Sequence, residues 1–131
     1  MPQLMTLKEL CAKHKKILMP VDAPIPYSMF GIECGEGWYS LLDELLTKIE
    51  DELKQNPSPN FYVTQIKEKF GGLRFYVSCA SDKIHDWIHE AERDSTRICE
   101  CCGKPAKTTD AGWYVTLCPK HLREYNKGKR W

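Results

Sequence analysis

Four side chains near the C-terminal end have the types and spacing of a metal site. Cys99 and Cys102 stand two residues apart and are followed by Gly103. Cys118 and His121 repeat the interval after 15 intervening residues. A Cys-x-x-Cys-Gly turn lets two thiolates face one ion, because glycine frees the backbone to curl. Pro119 suits the first position of a helix, where its missing N–H costs nothing. Residues 118 and 121 then project from one helical face. Thiolate and imidazole in a set of four are the preferred tetrahedral ligands of zinc. Four protein ligands leave no place for a catalytic water, so the expected ion is structural and single. Three thiolates and a neutral imidazole leave about one negative charge on a bound divalent ion. Lys104, Lys107 and Lys120 are near enough in sequence to offset it. Cys101 lies inside the turn. A spare thiol and an alternative ligand are both open to it; a solvent-facing position is the favoured one.

The cysteine count agrees. Seven cysteines cannot form a fully paired disulfide framework within one chain. In a reducing compartment, cysteines at this spacing read as metal ligands. The N-terminus has no basic start followed by an unbroken apolar stretch, and no run approaches the roughly 18 residues of a membrane helix. A cytoplasmic protein without membrane contact is expected.

Other constellations are weaker. His85-Asp86-Trp87-Ile88-His89 has the spacing of a metalloprotease helix, but Asp stands where a Glu base is needed. Cys34 has acidic neighbours and no local base to activate a thiol. A nuclease built on the same metal scaffold needs a histidine in the hairpin, and residues 107–117 contain none. No small-molecule substrate and no enzymatic activity are expected.

Charge is uneven. Residues 1–96 hold 11 Lys/Arg against 15 Asp/Glu; residues 97–131 hold 8 against 3. The basic tail points to nucleic acid or an acidic surface. Lys120, Arg123, Lys127, Lys129 and Arg130 are the candidate phosphate contacts, with steep salt dependence if they act together. Lys67, Lys69 and Arg74 are a second candidate set, interleaved with Phe70, Phe75 and Tyr76. Such a mixture can stack bases and neutralise phosphates, although hairpin aromatics more often fill a core.

The elements that must hold these residues follow from periodicity. Thr6 opens a helix, with Glu9 as its capping-box partner. Leu7, Leu10, Cys11, His14, Ile17 and Leu18 share its apolar face. His14 there reads as a satisfied core histidine. Pro20, Pro24 and Pro26 mark an extended loop. Gly35 and Gly37 precede a second helix, whose apolar arc runs through Trp38, Leu41, Leu42, Leu45, Leu46, Ile49 and Leu53. The Gly-Glu-Gly there lacks the Lys-Ser/Thr pair of a phosphate loop. Two β-rich runs flank Gly71-Gly72, a hairpin signal. Leu73, Phe75, Val77 and Cys79 fall on one face of the second run. Ser81 or Asp82 caps a third helix with Ile84, Trp87, Ile88 and Ala91 buried.

The expected fold is α+β: helices on a small antiparallel hairpin or sheet in residues 1–96, with a docked treble-clef-like zinc module in 97–131. Trp113, Tyr114, Leu122 and Tyr125 are the expected fasteners between them.

Three blocks also resemble a family of small bacteriophage- and prophage-encoded proteins. They are CGEGWYSLLDELL from Cys34, QIKEKFGGLRFY from Gln65 to Tyr76, and CECCGKPA with GWYVTLCPKH between Cys99 and His121. They span about two thirds of the chain, from the second helix onward. The resemblance implies expression inside a bacterial cell during infection and brings no catalytic residue with it. Two function classes therefore stand: a nucleic-acid-associated accessory or regulatory protein binding DNA or RNA through the basic tail, and a protein–protein module that modulates a host bacterial protein.

Overall fold

The computed structural model describes residues 4–18 and 32–129; the proline-rich loop at residues 20–26 and Arg130 lie outside the described residues. The chain is mixed α/β. Helix α1 (Leu7–Lys13) begins with the expected capping box: Thr6 accepts from the Glu9 N–H, and the Glu9 carboxylate returns to the Thr6 backbone. The expected single helix is broken at His14, whose backbone leaves helical geometry, and resumes as α2 (Lys15–Leu18). The buried face is the expected one, with Leu10, Cys11, His14, Ile17 and Leu18 all buried.

His14 explains the break. It is 1% exposed, and its ring lies between two carboxylates of the next helix. Nε2 meets Asp43 Oδ1 at 2.6 Å and Nδ1 meets Glu50 Oε1 at 2.5 Å. Both ring nitrogens have partners, so this is a satisfied core histidine.

Strand β1 (Ile32–Glu33) is followed by a 3-10 turn (Glu36–Trp38) and by helix α3 (Tyr39–Gln55). Helix α3 buries Tyr39, Leu42, Leu45, Leu46 and Ile49. Each buried leucine stabilises by about 1.5–3 kcal/mol, which makes this stripe the backbone of the core. Trp38, assigned by periodicity to the same helix, instead closes the turn and is fully buried.

Strands β2 (Tyr62–Lys69) and β3 (Gly72–Ser78) form the hairpin. The turn falls at Phe70-Gly71, one residue earlier than expected, because Gly72 already pairs with Lys69. A bulge between Val63 and Gln65 lets Val63 and Ile66 both turn inward, opposite Val77 and Phe75. The outer face then carries Lys67 opposite Arg74, and Lys69. Strand β1 adds to β2 in parallel, giving a three-stranded sheet of order β1-β2-β3. A two-residue strand has no periodicity to read, which is why the expected antiparallel hairpin or sheet did not include this parallel strand.

Helix α4 (Asp82–Ser95) is capped by Ser81, which accepts from the Ile84 N–H. It lies along β3 and satisfies that strand's outward donors. The Leu73 N–H donates to Ser95 Oγ at 2.9 Å and the Phe75 N–H to Glu92 Oε2 at 3.0 Å. The edge is thereby closed to further pairing. Cys79, expected on the inner face, is exposed at φ +59°, where the chain leaves the sheet.

After α4 the chain forms a tight turn at 98–105, a second hairpin of β4 (Lys107–Asp110) and β5 (Tyr114–Leu117), and helix α5 (Pro119–Asn126). Cys99, Leu117 and Cys118 form a small second core, joined by Leu122 and Tyr125. Those two pack within the module. No helix among the described residues is long and apolar enough to cross a membrane.

Candidate metal centre

The tight turn is set by its backbone. The Cys99 N–H donates to the Lys104 carbonyl and the Gly103 N–H donates back to the Cys99 carbonyl, each at 2.8 Å. Gly103 sits at φ +81°, a conformation that disfavours side chains. The second half-site is a helix start: Cys118 is the N-cap of α5 and Pro119 its first residue. The β4–β5 hairpin brings the halves together.

The four predicted ligand atoms lie within 4.8 Å of one another. Cys102 and Cys118 sulfurs are 3.7 Å apart. His121 Nδ1 is 3.7 Å from the Cys99 sulfur and 3.2 Å from the Cys118 sulfur. A tetrahedral ion with bonds of about 2.0–2.3 Å has ligand–ligand edges of about 3.5–3.8 Å. The two 3.7 Å spacings match it, the 3.2 Å spacing is shorter, and the cluster can hold one metal ion. Cys101 is outside this set. It is half-buried, and burial, with Cys99 and Cys118 nearby, pushes its thiol up to about 11.

The electrostatics prepare the thiolates. Burial works against ionisation of Cys118, but donation from the His121 backbone N–H and the His121, Cys102 and Cys99 side chains outweighs it. The thiol is lowered to about 6. Cys102 is raised to about 11, chiefly by burial, despite donation from the Lys104 backbone N–H. Cys118 is thus the thiol of this pair that the surroundings favour as thiolate, and binding of a divalent ion to thiols releases protons.

One partner was missed by sequence reasoning. Nε2 of His121, the nitrogen away from the thiols, faces Glu124 Oε2 at 3.9 Å, and Glu124 also approaches Lys129 at 3.8 Å. At that distance the carboxylate is an electrostatic neighbour of the ring and not a hydrogen-bond partner. Its position three residues after His121 on a helix was the available signal.

The Gly-Glu-Gly motif belongs to this centre. The Gly37 N–H donates to the Glu100 carbonyl at 2.8 Å, and the Gly35 N–H to the Glu100 carboxylate at 2.9 Å. The Trp38 indole donates to the Ile98 carbonyl at 2.8 Å. The metal turn thus rests on the start of α3. Burial, with Glu100 and Glu68 nearby, pushes the Cys34 thiol far up, which holds it protonated.

The other candidates separate. Lys120 and Arg123 lie on α5 and Lys127 is its C-cap; all three are exposed, and none is in an ion pair among the described residues. Lys129 is partly offset by Glu124. Lys67, Lys69 and Arg74 also lack ion pairs among the described residues, and Phe75 belongs to the core. His85 and His89 are exposed, with rings 6.4 Å apart, and no third ligand joins them among the described residues. Comparison with protein-family models, curated proteins and solved structures returns no match.

Proposed function

We propose that Cys99, Cys102, Cys118 and His121 hold one structural zinc ion in a treble-clef-like module, and that the protein is a nucleic-acid-associated accessory or regulatory protein. The ligand chemistry supports zinc: three sulfurs and one imidazole at tetrahedral spacing suit it better than harder cations. The turn, hairpin and helix start, in that order, support the treble-clef reading. The module's task is to present α5. The observation that carries the nucleic-acid reading is the exposed group of Lys120 and Arg123 on that helix and Lys127 at its C-cap, free of ion pairs among the described residues. Three unpaired cations at helical spacing can follow a phosphate backbone. The resemblance to phage-encoded proteins supports action inside a bacterial cell.

The test is titration of fluorescent DNA and RNA at two salt concentrations, with wild type and a Lys120→Gln, Arg123→Gln, Lys127→Gln variant. Wild type should bind with steep salt dependence. The variant's log–log slope should fall by about 3, at about 0.9 per phosphate contact on duplex. Absence of binding at about 100 µM, the weak end of non-specific affinity, would favour the protein–protein reading instead.

A further inference from the structure

Three large aromatic rings meet at the junction of the two hairpins and remain half in solvent. Phe70, at the tip of β2–β3, is 47% exposed. Trp113 and Tyr114, at the tip of β4–β5, are 57% and 49% exposed. The Phe70 ring centroid lies 5.6 Å from Trp113 and 6.5 Å from Tyr114, edge-on to the latter. Sequence analysis expected Trp113 and Tyr114 to fasten the module to the body, and their contacts with Phe70 do join the two. The joint has other fasteners as well. Thr116 Oγ1 donates to the Gly71 carbonyl, and Gly71 fits so closely that a Cβ there would lie 2.9 Å from the Thr108 methyl.

Phe70 is also an unusual occupant of its position. It adopts φ +54° in a two-residue hairpin turn, the place where Asn or Gly is ordinarily found. A bulky residue held in this region with about half its surface still exposed is strained for only partial burial, a pattern associated with functional positions.

Cations stand beside the rings. Lys69 Nζ lies 5.4 Å from the Phe70 ring centroid. Lys67 and Arg74 face each other across the outer side of the sheet, and like Lys69 they form no ion pair among the described residues. The nearby carboxylates are engaged: Glu68 accepts from the Gly71 N–H and Asp110 from the Gly112 N–H. Exposed rings beside free cations match the two chemistries of a single strand, a stacking face on every base and a phosphate between bases.

We propose that Phe70, Trp113 and Tyr114 form a base-stacking platform for single-stranded nucleic acid, with Lys67, Lys69 and Arg74 receiving its phosphates. This rests on the nucleic-acid reading above and deepens it, because a duplex hides its base faces and cannot use the platform.

The test compares wild type with Phe70→Asn and Trp113→Ala on a labelled 12-nucleotide oligo-dT, a 12-nucleotide oligo-U and a duplex. Phe70→Asn creates the preferred Asn-Gly turn, so it should melt no lower than wild type and keeps the test independent of misfolding. Each variant should weaken single-strand binding about tenfold or more, as removal of a stacking ring does, with duplex binding unchanged. Bound oligo-dT should quench tryptophan emission, and Trp113→Phe should lose most of that quenching. If single strands bind both folded variants as tightly as wild type, the platform is overturned; loss of binding in the α5 variant alone then leaves the broader reading standing. If neither single strands nor duplex bind wild type, both readings fall. If the substitutions abolish capture of a protein ligand and leave oligonucleotide binding intact, the surface is a protein interface and the proposal is overturned.

Discussion

At Gly37 an added Cβ would lie 2.0 Å from the Cys99 carbonyl oxygen and 2.6 Å from the Glu100 carbonyl carbon and oxygen. Both neighbours are backbone of the metal turn, so neither can rotate away. Gly37→Ala must therefore push the turn off the start of α3 and break the Gly37–Glu100 hydrogen bond. We expect a loss of about 1–3 kcal/mol or more, the range for overpacking a closed site. Urea denaturation checks it, and an unchanged midpoint would show that the seat is softer than its geometry. The four ligands were legible from the chain because metal chemistry tolerates few residue types at few spacings. The role of Gly35 and Gly37 was not. A glycine pair before a helix signals freedom of the backbone, but nothing local says which distant segment will occupy the space.

At the scale of elements, the joint between α1–α2 and α3 depends on charge as well as apolar burial. Lys13 lies 2.9 Å from Asp43, and the His14 ring bridges Asp43 and Glu50. Burial raises the Asp43 carboxyl, but the hydrogen bonds and charges of His14 and Lys13 outweigh it, and its pKa is lowered. The sign follows. The folded state binds this proton less readily than the unfolded chain. The stabilisation is complete above the usual Asp range near 4 and is lost as pH falls through the depressed value. Asp43→Asn should destabilise by about 1–3 kcal/mol at neutral pH, as expected when a partner of a buried polar group is removed. Its stability should also depend less on acid than that of wild type. Melting curves between pH 7 and 3 would show this; parallel loss in both proteins would mean that Asp43 is not the group responsible. Periodicity revealed which residues of this segment are buried. It could not reveal the break at His14, because two partners 29 and 36 residues away decide where that ring points. The hairpin, α3 and α4 were legible for the opposite reason: their turn residues, caps and apolar stripes are all local.

For the whole molecule, two small cores share one joint, and the second is too small to stand alone. Its buried hydrophobic residues, among those described, are Cys99, Leu117 and Cys118. Metal binding contributes roughly 10–16 kcal/mol to small zinc modules, which exceeds what three buried residues can supply. On the zinc reading, removing the ion should therefore unfold the turn at 98–105 and release α5. The body's helices, with their own core around Leu42, Leu46, Ile49 and Ile66, should persist. The effect cannot stop at the module, because Trp38 is fully buried and its indole donates to Ile98, beside the first ligand. We expect chelation to remove hydrogen-exchange protection from the Trp38 indole N–H while amides of α3 stay protected. NMR of the protein before and after complete metal removal distinguishes the cases. A Trp38 resonance that keeps its position and protection in metal-free protein would mean that the body alone holds the turn, and that the ion fastens less than its ligand geometry implies.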